Sequence, residues 1–73
     1  MRVIITEHAR QRLREWRQSD ITLKDIIEAA NGIPGRIPCA TRFRGFLTKS
    51  GRMFDLVAKD IPTGRLVITV IGK

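Results

Sequence analysis

His8 is the single histidine of the chain, and it stands in the stretch Thr6-Glu7-His8-Ala9-Arg10-Gln11-Arg12-Leu13. The Thr6 hydroxyl suits a helix cap, and a helix opening there places His8 and Arg12 one turn apart on the same face. Histidine is the side chain that exchanges protons near neutral pH, and the planar fork of arginine holds a phosphate or a carboxylate. The pair could therefore carry proton transfer beside an anion. The competing reading makes His8 a surface or capping residue, because one histidine by itself specifies little. Neither a metal nor a cofactor is expected: no second histidine completes a His-x-x-x-His spacing, and Cys39 stands alone.

Arg42, Phe43 and Arg44 alternate, so in a strand both guanidinium groups share one face and the ring takes the other. Two readings fit them equally: a phosphate clamp, or the solvated face of an edge strand whose charges prevent mispairing. By the same alternation Phe46 falls on the arginine face, where it could stack on a base or cover the sheet. Asp55 interrupts an apolar run on the face of Met53, Val57 and Lys59, and a buried carboxylate needs a partner, an arginine or Lys59, so an ion pair across strands is expected. Thr69 lies in the most apolar run and reads as a packing residue. Cys39 has no histidine beside it in sequence, and no phosphate-binding glycine loop or nucleophile elbow occurs.

These residues belong to a chain of 73, a size that forms one domain, residues 1–73, with a thin core that dimerisation would enlarge. The charge is lopsided, with 14 Lys and Arg against 7 Asp and Glu and a net charge of +7. Most of the cations are arginines, which favours polyanionic partners: RNA or DNA first, an acidic protein second. A lone cysteine and no apolar run long enough to span a bilayer fit a soluble cytoplasmic protein with no membrane role.

The elements that must position the candidates follow from periodicity. Arg2–Ile5 reads as a short first strand or an extended lead-in, and a helix from about Glu7 to Gln18 sets Ala9, Leu13 and Trp16 in an apolar stripe with Arg10, Arg14 and Arg17 turned away. Thr22 followed by Asp25 resembles a capping box for a second helix, Leu23–Ala30, closed by Asn31-Gly32. The prolines of residues 33–38 mark an irregular connection. From Ala40 the period becomes two: strands at Thr41–Leu47 and Arg52–Lys59 about a hairpin turn at Lys49-Ser50-Gly51, then an interior strand, Arg65–Ile71, after a turn at Ile61–Gly64. The expected fold is α+β, two N-terminal helices packed on a three- to four-stranded antiparallel sheet in the order βααβββ.

Ile5-Thr6-Glu7-His8-Ala9 with Arg12-Leu13, Ile21-Thr22, Gly51–Val57 and Val67–Ile71 resemble the domain of unknown function 4258 family over nearly the whole chain. That family is similar to the RelE-like and BrnT-like ribonuclease toxins, which pair two helices with an antiparallel sheet and cleave RNA without metal. The resemblance implies a RelE-like fold more firmly than it implies activity. Carried over by position, His8 and Arg12 match the helix motif and Thr69 the polar residue of the last strand, and these three are the implied catalytic residues. Arg42, Arg44 and Lys59 come from strand patterning as phosphate contacts. Arg17 stands in for an arginine that relatives carry in a compact glycine-containing link, here replaced by the longer Trp16–Thr22. No tyrosine is present, which removes any mechanism that needs one. The expected activity is a metal-independent ribonuclease, alone or as the toxic half of a pair with an acidic antitoxin. The alternative is a non-catalytic nucleic-acid-binding or protein-interaction module of the same fold.

Overall fold

The computed structural model describes residues 2–15 and 18–73, so the parts expected of Trp16 in the core stripe and of Arg17 at phosphate lie outside the described residues. The chain runs β1 (Val3–Ile5), α1 (Glu7–Leu13), α2 (Leu23–Gly32), β2 (Thr41–Leu47), β3 (Met53–Ile61) and β4 (Gly64–Gly72). Two helices and a four-stranded sheet of order β1-β4-β3-β2 make it an α+β fold. The chain from β2 to β4 is an antiparallel meander, as expected. β1 corrects the expectation, because it joins β4 in parallel, with Val3 opposite Arg65 and Ile5 opposite Val67. The sheet is thus mixed. Periodicity reports which face a residue occupies but carries no information about the direction of a neighbour far along the chain.

Gly64 is what admits β1. It holds φ at +154°, and a β-carbon there would sit 2.5 Å from the Arg2 carbonyl oxygen, the atom that accepts from the Arg65 amide at 2.8 Å.

Both helices start on a threonine. Thr6 Oγ1 accepts from the Ala9 amide at 3.1 Å, and at α2 the Thr22 hydroxyl accepts from the Asp25 amide while Asp25 Oδ2 accepts from the Thr22 amide at 3.0 Å, the reciprocal box expected there. α1 ends at Leu13 instead of reaching Gln18. Past it the amides of Arg14, Glu15, Gln18 and Ile21 each bond a carbonyl three residues back, in place of the four-residue step of an α-helix. α2 runs to Gly32, slightly past the expected Ala30.

Ala9 of α1 and Ile26 and Ala30 of α2 bury themselves on one face of the sheet with Phe54, Leu56, Ala58, Val67 and Val70. Both helices therefore cover the same face. Strand alternation turns Asp55, Val57, Lys59 and Thr69 to the opposite face, which neither helix covers.

One buried cation locks the helical layer to the sheet. Arg65 is fully buried; its guanidinium donates to both oxygens of Asp60, at 2.7 and 3.1 Å, and to the carbonyls of Ala30, Ile33 and Gly35 at 2.7–2.8 Å. A positive charge at the end of α2 also suits the helix dipole. Asp60 in turn accepts from the Ile37 amide at 2.8 Å, which pins the irregular 33–38 connection to β3. The Arg65 hydrogen bond, joined by the Ile37 amide, holds the Asp60 carboxyl at a pKa of about 2 against the opposing push of burial. Among the described residues no helix is long and apolar enough to cross a membrane.

Candidate functional site

β1 pairs with β4 only as far as Val67, so the second half of β4 presents a strand edge. Side chains serve that edge in place of a strand. Thr6 Oγ1 donates to the Ile68 carbonyl at 2.8 Å, Arg12 Nε donates to the Val70 carbonyl at 3.2 Å, and the Gly72 amide donates to Gln18 Oε1 at 3.1 Å. Thr6 thereby caps α1 and anchors it to β4 at once. Arg12 is half-buried, with its Nη1 3.8 Å from Glu15. His8, one turn earlier on α1, is exposed, and its side chain makes no hydrogen bond or ion pair among the described residues. A histidine so placed is open to solvent, and among the described residues no carboxylate or carbonyl orients its ring.

Thr69 is half-buried on the uncovered face and pairs with Val57, which pairs on its other side with Arg42. Arg42 and Thr69 thus stand in one row across three strands, about 10 Å apart at the backbone. The register brings Thr69 beside the Val70 carbonyl that holds Arg12. Lys59 is exposed on the same face, opposite Leu66, farther along the strands.

The arginine strand differs from simple alternation. Phe43 pairs with Leu56 and Phe46 with Phe54, so Arg44 and Gly45 together oppose the single residue Asp55. This bulge, with Gly45 at φ +82°, returns Phe46 to the core side, where its ring centroid lies 5.6 Å from that of Phe54. Phe46 is therefore not on the arginine face. All three phenylalanines pack in or against the core, and among the described residues the uncovered face has no ring on which a base could stack.

Asp55 is fully buried beneath this face. Oδ1 accepts from the Gly45 amide at 3.0 Å; Oδ2 accepts from Arg42 Nε and Nη2 at 3.0 and 2.9 Å and lies 3.1 Å from Lys73 Nζ. Burial pushes this carboxyl up, but the Gly45 amide, Arg42 and Lys73 outweigh it and hold the pKa at about 2. Lys59 is not the partner, being about 13 Å farther along β3. Arg42 is thus neither a free clamp nor an idle edge charge: it is one of two cations over a single carboxylate. Arg44 is exposed on the bulge.

Asp60, Arg65, Lys73 and Gln18 were not singled out by sequence. Asp60 and Arg65 flank the Ile61–Gly64 turn as a cross-strand pair, a signal available in the hairpin itself, and a glycine inside a strand such as Gly45 marks a bulge. Lys73 and Gln18 carry no such signal.

The surface charge follows from these arrangements. Asp25, Asp55 and Asp60 turn inward, whereas among the described residues Arg65 is the one buried Lys or Arg. On the helical side a hollow of 190 Å³ is lined by Arg10, Leu13, Arg14 and Leu23; a larger one of 560 Å³ beside Arg36 and the Ile61–Gly64 turn holds none of the expected site residues. No group of three or more His, Cys, Asp or Glu among the described residues is arranged to hold a metal ion. Comparison of the chain with family models, curated proteins and solved structures returns no match.

Proposed function

We propose that this protein binds the phosphodiester backbone of RNA across the uncovered sheet face and the adjoining edge of β4, as a small RelE-like domain. The observation that carries this reading is the placement of Arg42 and Lys73 over one buried carboxylate, in a row that leads through Thr69 to the edge held by Arg12. Phosphate contacts of this kind position a strand without reading its bases.

Cleavage is the second reading, and one observation favours it: His8 is solvent-open one turn from Arg12, whose Nε is fixed by the Val70 carbonyl. In that reaction the 2′-oxygen attacks phosphorus as its proton passes to His8, and Arg12 stabilises the charge developing on the phosphoryl oxygens. The bond from phosphorus to the 5′-oxygen breaks, and the leaving oxygen takes a proton from the imidazolium, yielding a 2′,3′-cyclic phosphate and a 5′-hydroxyl.

Incubation of end-labelled RNA in EDTA with the protein and with His8→Ala, run in parallel on native and denaturing gels, separates the readings. A salt-sensitive shift with intact RNA establishes binding alone. Fragments from the wild type and none from His8→Ala establish cleavage through His8. No shift at low salt and no fragments overturn both.

A further inference from the structure

Asp55 needs one cation for neutrality and has two. Arg42 Nη2 and Lys73 Nζ lie 2.9 and 3.1 Å from the same Oδ2, so they are held within about 6 Å of one another, near the reach of one phosphate group. The carboxylate is fully buried, while the Arg42 and Lys73 side chains are 39% and 38% exposed. The negative charge is beneath and the donors are above. Arg42 spends Nε and Nη2 on Asp55, and its Nη1 makes no hydrogen bond among the described residues. Lys73 is held at both ends, since its amide donates to the Met53 carbonyl at 3.0 Å and its side chain is fixed at Asp55. Two long side chains are thus ordered before any ligand arrives, which removes part of the entropy that binding would otherwise cost.

We propose that Arg42 and Lys73 form an anion site that takes one phosphate of a phosphodiester, with Asp55 and the Gly45 bulge as its positioning elements. The site rests on the RNA-binding reading and names where on the sheet that reading is anchored. The phosphate accepts from Arg42 Nη1 and from the remaining ammonium hydrogens of Lys73, and the surplus positive charge over Asp55 is neutralised. Among the described residues no aromatic ring stands beside it, so the contact the site offers is to the phosphate.

The test is fluorescence anisotropy of labelled oligouridylate, titrated between about 50 and 200 mM salt. Arg42→Gln/Lys73→Gln is expected to weaken binding and to flatten the log–log salt slope by about 0.7, the value of one single-strand phosphate contact. Lys24→Gln, an exposed change on α2, leaves both unchanged. Asp55→Asn supplies a test of sign: it makes the protein more positive, so a general field predicts tighter binding, whereas loss of the positioned pair predicts weaker binding. Far-UV circular dichroism checks that both variants are folded; if Arg42→Gln/Lys73→Gln is not, Lys73→Gln alone, which leaves Arg42 and the Gly45 amide on Asp55, decides with a loss of affinity expected. Wild-type protein that fails to bind overturns the RNA reading. Wild-type protein that binds, with an Arg42/Lys73 variant indistinguishable from Lys24→Gln, overturns this site and leaves the RNA reading standing.

Discussion

Arg65 and Arg42 each answer an aspartate on β3, from the two opposite faces of one sheet. Arg65 is fully buried and spreads its guanidinium over both oxygens of Asp60 and three carbonyls, joining β4 to the end of α2. Arg42 is part exposed, donates to a single oxygen of Asp55, shares it with Lys73 and keeps Nη1 open. The covered face closes its ion pair completely, and the uncovered face leaves donors over. Ion pairs of the same chemistry therefore differ in the number of donors still unspent, and that difference is what our proposal for the uncovered face rests on.

The most drastic way to break this contrast is Arg65→Met. It strands Asp60 and the carbonyls beneath α2, and loss of one member of a buried pair costs about 3–5 kcal/mol, a large part of the stability of a small domain. Urea denaturation should show little folded protein or a greatly lowered midpoint. Arg42→Met should keep a cooperative transition, because Lys73 and the Gly45 amide still hold Asp55. Equal losses from the two substitutions would erase the distinction.

Acid acts on both pairs together. The Asp55 and Asp60 carboxyls stand at about 2, below their ordinary value of 3.8, so the unfolded chain binds more protons in that interval. The stability they contribute is present above the ordinary value and is lost as pH falls through about 2. Thermal midpoints should decline across that window. Arg42→Gln sharpens the comparison: the Asp55 carboxyl resonance should titrate at higher pH than in the wild type while that of Asp60 stays in place.

Gly45→Ala probes the bulge. No atom lies within 4 Å of an added β-carbon, so the cost is that of φ +82°, about 1–2 kcal/mol. Its RNA affinity should also fall, as the Gly45 amide moves off Asp55. The smallest effect is expected from Thr22→Ala, which removes the cap of α2 and costs about 1 kcal/mol. Its anisotropy titration with RNA should match the wild type.

Local chemistry was legible in the residues, and long-range geometry was less so. The box at Thr22 and Asp25, the strand pattern from Thr41 onward and the interior place of β4 all follow from spacing, because capping and alternation are set within a few residues. The parallel β1 is different: it pairs with the last strand, and only the close approach at Gly64 records that neighbour. On the candidate site, alternation separated Arg42 from Phe43 correctly but put Phe46 on the arginine face too, since one extra residue at Arg44-Gly45 reverses everything beyond it. The second cation was hidden for another reason. Lys73 reaches Asp55 because β4 ends beside β3, and that is a property of the closed sheet rather than of any motif.

The most direct test of the open-face account is a side-chain nitrogen–proton spectrum of the folded protein titrated with oligouridylate, following Arg42 Nε and Arg65 Nε together. The account predicts that the Arg42 resonance moves saturably while Arg65 stays fixed. An Arg42 resonance unmoved by RNA that is demonstrably bound would contradict it.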